Sequence, residues 1–222
     1  MSINLVNYEK IKSIAERYHA QLVAVSKTKP LDDILALHHE GQIIFGENYV
    51  QELTDKFKEA PTSIDWHFIG HLQTNKVKYI QPIAKLIHGV DSEKLLSEIN
   101  KQASKNNSIS NILLQIHIAQ EETKFGLDEN ELAEIIKKIT VGNYPNIKVK
   151  GLMGMASFTD DRNQIKKEFD FLKTVFDSHK IDKDFDTLSM GMSSDYQIAL
   201  DCGSTMIRIG SALFGERNYN KS

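Results

Sequence analysis

The sequence predicts a single-domain α/β fold, a (β/α)8 barrel of the TIM type with an extra helix at its N-terminal end. Three observations carry that expectation. Eight short apolar runs are bounded by polar turns, longer segments of helical periodicity lie between them, and no Gly/Ser-rich or Pro-rich tract divides the 222 residues.

An amphipathic helix is expected over residues 3–19. The runs that follow are QLVAVSK (21–27), QIIFGEN (42–48), DWHFIG (65–70), KLIHGVD (85–91), NILLQIHI (111–118), VKGLMGMA (149–156), TLSMGM (187–192) and MIRIGSALFG (206–215). Helices are expected over 31–40, 49–59, 92–105, 128–140, 161–179 and 194–201, with Asp91-Ser92 and Asp128 as N-caps. The segment after the third run, about 74–80, carries the weakest helical signal. A β-then-α order repeated eight times points to a parallel sheet closed as a barrel. A doubly wound open sheet is the alternative. No G-x-G-x-x-G follows the first run, which removes the usual dinucleotide signature of that alternative.

Composition narrows the function classes. A formal net charge of −3 provides no broad basic field, so nucleic acid is not an expected partner. The start, MSINLVNYEK, lacks a basic segment followed by an apolar core, and no apolar stretch is long enough to span a bilayer; a cytoplasmic protein without membrane contact is expected. The single cysteine, Cys202, reads as a small buried apolar residue, since no His or Asp motif accompanies it.

In a barrel the active site forms at the C-terminal ends of the strands. The residues found there are Lys27, Glu47, Asn48, Gly70, His71, Asp91, His117, Met155, Met192, Ser193, Arg208 and Gly210. Lys27 shares its strand side with Val23 and Val25, which places it in line with an inward-facing row. Two readings stand at this level: a solvated lysine, the commoner case, or a confined amine whose lowered pKa suits attack on an aldehyde. Near the other end of the chain, MGMSSD puts Ser193 and Ser194 at the start of a helix, whose free N–H groups favour an anion. RIGS places Gly210 and Ser211 just past Arg208, where main-chain N–H groups approach a ligand without an intervening Cβ. These are the loops after strands seven and eight, a common phosphate position in barrels. Arg208, between Ile207 and Ile209, needs an acceptor if buried: a salt-bridge partner or a ligand atom.

The motifs VAVSKTKP, FGENYVQE, WHFIGHLQTNKVK, LIHGVDS, KFGL, LSMGMSSD and GSTMIRIGSALFGER together resemble the pyridoxal phosphate homeostasis protein family, also called the YggS/PROSC family, over nearly the whole chain. That resemblance implies the fold-type III barrel of the alanine racemase N-terminal domain over residues 1–222. It also implies pyridoxal 5′-phosphate (PLP) held covalently, as a Schiff base, on the lysine of SKTKP, here Lys27. It further implies Ser193, Gly210 and Ser211 at the phosphate, Arg208 facing the pyridine nitrogen, and Asn48 and His71 lining the pocket. One departure is GLMGMASF (151–158), where the resemblance leads one to expect a reading closer to GLMTIPP.

PLP works best as an electron sink when a carboxylate pairs with its protonated ring nitrogen; an arginine cannot play that part, although racemases with this arrangement work. The sequence ends at Ser222, just after the eighth run, so the second acid or base that alanine racemase draws from a C-terminal β domain of a partner subunit is not expected. The resemblance therefore implies a monomeric PLP carrier that buffers or delivers the cofactor, with PLP-dependent apoenzymes as partners and no strong enzymatic activity. Two alternatives are a small amino-acid racemase in which a tyrosine or a histidine such as His71 serves as the missing acid, and a Schiff-base lyase on sugar phosphates that uses Lys27 without cofactor.

Overall fold

A computed structural model describes residues 3–121 and 125–215; Lys124 of KFGL and Glu216-Arg217 of LFGER lie outside the described residues. Eight parallel strands close in sequence order into a barrel: β1 (Gln21–Val25), β2 (Ile44–Glu47), β3 (Asp65–Phe68), β4 (Leu86–Val90), β5 (Ser110–Gln115), β6 (Ile147–Met153), β7 (Thr187–Ser189) and β8 (Met206–Ile209). Each strand falls within or beside its expected run. The strands are shorter than the runs because the polar ends belong to the loops of the C-terminal rim, where they leave the ladder.

Alternation along each strand separates two apolar sets. Residues such as Leu22, Phe45, Trp66, Phe68, Ile112, Leu114, Ile207 and Ile209 face outward into one core shared with the helices. Val23, Leu86, Leu113, Met153 and Met206 face inward and fill the barrel. Burial of each large aliphatic side chain contributes about 1.5–3 kcal/mol, so the outer core dominates the fold's stability.

Outside the barrel run α1 (Leu5–Arg17), α2 (Leu31–His39), α3 (Val50–Glu59), α4 (Val77–Ile80), α5 (Glu93–Lys105), α6 (Glu129–Thr140), α7 (Arg162–Ser178), α8 (Tyr196–Asp201) and α9 (Ser211–Phe214). The weakest segment is indeed a 3-10 turn over Thr74–Lys76 leading into the single turn of α4. Ser92 caps α5 and Asp128 forms a capping box with Glu131, so the N–H groups of both first turns are satisfied as expected. The final helix, α9, is one turn long and too short to cover β8. Helix α1 closes this side of the barrel by packing on α9 and β1, where it buries Tyr8, Ile11 and Ala15, and the Asn4 N–H bonds the Leu213 carbonyl at 2.8 Å. Among the described residues no helix is long and apolar enough to cross a membrane.

Candidate functional site

Lys27 stands in a turn two residues past β1, half-buried. Its neighbours are tied to the barrel wall by charge. Ser26 points outward and its Oγ donates to Glu47 Oε1 at 2.6 Å. The buried Lys56 Nζ donates to the Ser26 carbonyl (2.9 Å), Glu47 Oε1 (2.7 Å) and Glu52 Oε1 (2.6 Å). Glu52 Oε1 also accepts the Thr28 N–H at 2.6 Å, and Thr28 adopts the left-handed φ of +64°. The residues on both sides of Lys27 are thus fixed by one ionic cluster, and a strained turn is held where the lysine leaves the strand. Burial pushes the Glu47 carboxyl up to about 7, an effect that Lys56 partly offsets.

On the other side of β1 lies β8, with Val23 paired to Arg208. Arg208 is buried, and its Nη1 donates to the Ser189 carbonyl (2.9 Å) and Ser189 Oγ (2.6 Å) while Nη2 donates to the Gly154 carbonyl (3.2 Å). Neither expected partner, a salt-bridging carboxylate or a ligand, is needed to satisfy these three donors; neutral oxygens do so. Burial lowers the Arg208 pKa to about 10, which leaves it charged at neutral pH. The guanidinium has five N–H groups, so donors beyond those three remain for a ligand.

The expected helix start at Ser193-Ser194 is corrected: α8 begins at Tyr196 after an Asp195 cap, because Asp195 Oδ1 takes the Met192 N–H at 2.6 Å and turns the chain there. Ser193 instead turns its Oγ toward the start of α9, where it accepts the N–H groups of Gly210 (3.3 Å) and Ala212 (3.5 Å). A hydroxyl oxygen there occupies the position an anion oxygen would take between two main-chain donors. Gly191 (φ +96°) makes the approach possible, since a Cβ on it would lie 2.6 Å from the Ala199 Cβ. Ser211 is exposed as the first residue of α9.

Asn48, just past β2, is half-buried and its Oδ1 is buried with no hydrogen-bond partner among the described residues. The chain passes so close to β3's end that a Cβ on Gly70 would lie 2.3 Å from the Asn48 carbonyl oxygen. His71 lies further out on the rim: its Nδ1 is 3.0 Å from Asp91 Oδ2 and its ring stacks on Phe125 at 4.1 Å. The seven residues expected from sequence, Lys27, Asn48, His71, Ser193, Arg208, Gly210 and Ser211, therefore fall on the ends of strands 7, 8, 1, 2 and 3, consecutive around the barrel. His117 leaves this arc; its Nε2 lies 3.0 Å from the Glu121 carbonyl oxygen on the β5 loop.

Two supporting sets escaped the sequence reading. The Ser26–Glu47–Lys56–Glu52 cluster joins a strand end to a helix face. The second set, His67, His88 and Ser189, lies inside the barrel, with His88 Nε2 at 3.0 Å from His67 Nδ1 and Ser189 Oγ at 3.3 Å from His88 Nδ1. A signal for it was present: each histidine interrupts an apolar run at an inward position, His67 between Trp66 and Phe68 and His88 one residue after Ile87. No group of three or more His, Cys, Asp or Glu side chains suited to a metal ion occurs among the described residues.

The family model for "Alanine racemase, N-terminal domain" matches residues 5–218. The pyridoxal phosphate homeostasis protein of Pasteurella multocida is 40% identical over 207 residues, covering 90% of this chain and 88% of that protein. PipY of Synechococcus elongatus superposes in its structure without PLP at a TM-score of 0.85 with 30% identity, covering 93% of this chain and 99% of that one. Its structure with PLP bound gives 0.82 with 29% identity, over 94% and 100% of the two chains. Alanine racemase of Bartonella henselae shares the fold, with a TM-score of 0.72 at 14% identity, over 94% of this chain and 60% of that one. With an amine just past β1 and, at the end of the neighbouring β8, a pair of N–H groups that donates to an oxygen, and with these likenesses along nearly its whole length, the chain belongs to the pyridoxal phosphate homeostasis protein family, on the barrel of the alanine racemase N-terminal domain.

Proposed function

We propose that this chain binds pyridoxal 5′-phosphate with Lys27 as its covalent anchor and serves in intracellular PLP homeostasis, buffering or delivering the cofactor as a monomer. One observation carries the reading: a half-buried lysine at the end of β1 adjoins, through the β1–β8 pairing, an N–H pair whose oxygen position Ser193 Oγ fills. Three features of the site fit the group. Ser193, Gly210 and Ser211 would hold its phosphate, the unpartnered Asn48 Oδ1 offers an acceptor to a ligand donor, and Arg208 retains N–H groups for the ring nitrogen. Bound there, PLP supplies an aldehyde that condenses with amines and a ring able to withdraw electrons.

The chain's own groups favour holding over turnover. Arg208 is a cation that donates only, and at about pKa 10 it stays charged, so it offers the ring nitrogen no proton-sharing carboxylate. The ionic cluster behind Ser26 and Thr28 fixes where the Lys27 amine emerges. His71, paired with Asp91, is the rim group to which a racemase reading would assign proton transfer. PLP-dependent apoenzymes are the recipients that the carrier role implies.

Borohydride reduction of the PLP-loaded protein followed by peptide mass spectrometry is expected to find the phosphopyridoxyl group on Lys27. Lys27→Ala should lose the covalent chromophore and keep measurable PLP affinity through the phosphate position. An adduct elsewhere, or none, would overturn the site; deuterium uptake at Cα of an added amino acid, abolished by His71→Ala, would overturn the carrier role.

A further inference from the structure

The hydrogen bonds inside the barrel have a definite direction. Arg208 can only donate, so Ser189 Oγ accepts from it at 2.6 Å. The one remaining partner of Ser189 Oγ among the described residues is His88 Nδ1 at 3.3 Å, and the serine's own proton goes there. His88 must then carry its proton on Nε2 and donate to His67 Nδ1 at 3.0 Å, which leaves the His67 proton on Nε2. Both rings stay neutral, since burial pushes His67 down to about 3 and His88 well below its ordinary value. The line therefore runs from the rim, at Arg208, to a single outgoing N–H at the opposite end of the barrel.

That end is hollow. His67 lines a cavity of about 570 Å³ at the N-terminal ends of the strands, together with Lys85, Lys148, Lys150, Asp65 and Asp186. His67 is only 4% exposed, and its Nε2 has no partner among the described residues. The cations are not equivalent. Lys148 is bound to Asp184 at 2.7 Å and Lys150 lies 4.0 Å from both Asp184 and Asp186, whereas Lys85 forms no ion pair among the described residues and its charge acts directly on the His67 ring. The His67 N–H and an ammonium that forms no ion pair among the described residues thus face the same space, whose lining also carries the Asp65 and Asp186 carboxylates.

We propose that this cavity is a second binding site, for a small oxyanion such as a carboxylate or a phosphate group, and that its occupancy is transmitted along His67, His88 and Ser189 to Arg208. The anion accepts from His67 Nε2–H and pairs with Lys85. An acceptor at His67 polarises each hydrogen bond behind it, which strengthens Ser189 as an acceptor for Arg208. The binding half stands on the cavity alone; the transmitted half rests on the proposed PLP site at Arg208.

The test titrates inorganic phosphate into protein labelled with 15N at histidine, at constant ionic strength with chloride as the control. The His67 and His88 ring resonances are expected to move together and saturably in phosphate, and Lys85→Ala, a change at an exposed position, should weaken that response at least tenfold. Resonances that follow ionic strength alone, or a phosphate response that Lys85→Ala leaves intact, would sink the site. In PLP-loaded protein, filling the cavity should shift the cofactor's absorbance, and Ser189→Ala should abolish the shift while the His67 response persists. An absorbance that never moves, with the His67 response intact in protein that reduction shows to be loaded, would sink the coupling alone.

Discussion

Behind Lys27 the supporting groups are charged, and behind Arg208 they are neutral. Glu47, Lys56 and Glu52 clamp the backbone around the lysine, whereas main-chain carbonyls, Ser189 and two uncharged histidines receive the arginine. The ions lie on the outward side of β1, where they fix the backbone on both sides of Lys27. The guanidinium of Arg208 is held by neutral oxygens, with the Asp195 charge acting on it. Nearly all the polarity of each half is spent on orientation.

Removing one partner from the charged half should give the largest effect. Lys56→Met leaves Glu47 buried beside Glu52 with no cation, and a loss of about 3–5 kcal/mol in urea-denaturation stability is expected; a loss below about 1 kcal/mol would show that the cluster does not clamp this turn. On the neutral half, Ser193→Ala removes one contact to the phosphate position, and PLP affinity should fall roughly tenfold, the weight of about one charge-assisted hydrogen bond, while the protein stays folded.

The pH response separates the halves further. Glu47 is raised from 4.5 to about 7, so the folded state keeps a proton that the unfolded chain has already lost, and this contribution to stability fades as pH rises through that window. His67 and His88 act in the opposite sense. Their folded pKa values are depressed, so their contribution is present above about 6.5 and is lost as pH falls, because the unfolded chain takes up protons that the barrel interior refuses. Glu47→Gln should remove only the upper limb of the stability profile. An unchanged profile between pH 5 and 8 would contradict the buried-carboxyl account. The smallest effect is expected at the rim: His71→Ala, at an exposed pair, should alter stability by no more than about 0.5 kcal/mol.

The element order was legible in the sequence because barrel strands are buried on both sides and read as compact apolar runs between helices of a different period. That Lys27, Ser193, Arg208 and Gly210 share one rim of the barrel was legible because the order of the runs puts the strand ends there. What stayed hidden depends on pairings between elements. Lys56 looks like an ordinary helical lysine, and only its position beneath β1 and β2 turns it inward to Glu47. His67 and His88 are 21 residues apart, and their contact needs neighbouring strands in one register. The start of α8 was misplaced by two residues because Asp195, not Ser193, offers its carboxylate to the Met192 N–H.

Strand β1 pairs with β8 across almost the full length of the chain, Gln21 with Met206 and Ala24 with Ile209. During synthesis, a nascent chain exposes Lys27 early yet has no Gly210 or Ala212 to complete the oxygen site until the last strand has left the ribosome and docked. Partial chains therefore present Lys27 before the proposed phosphate position exists. Capture of the cofactor becomes a report that translation has run through the final strand and that the ring has closed.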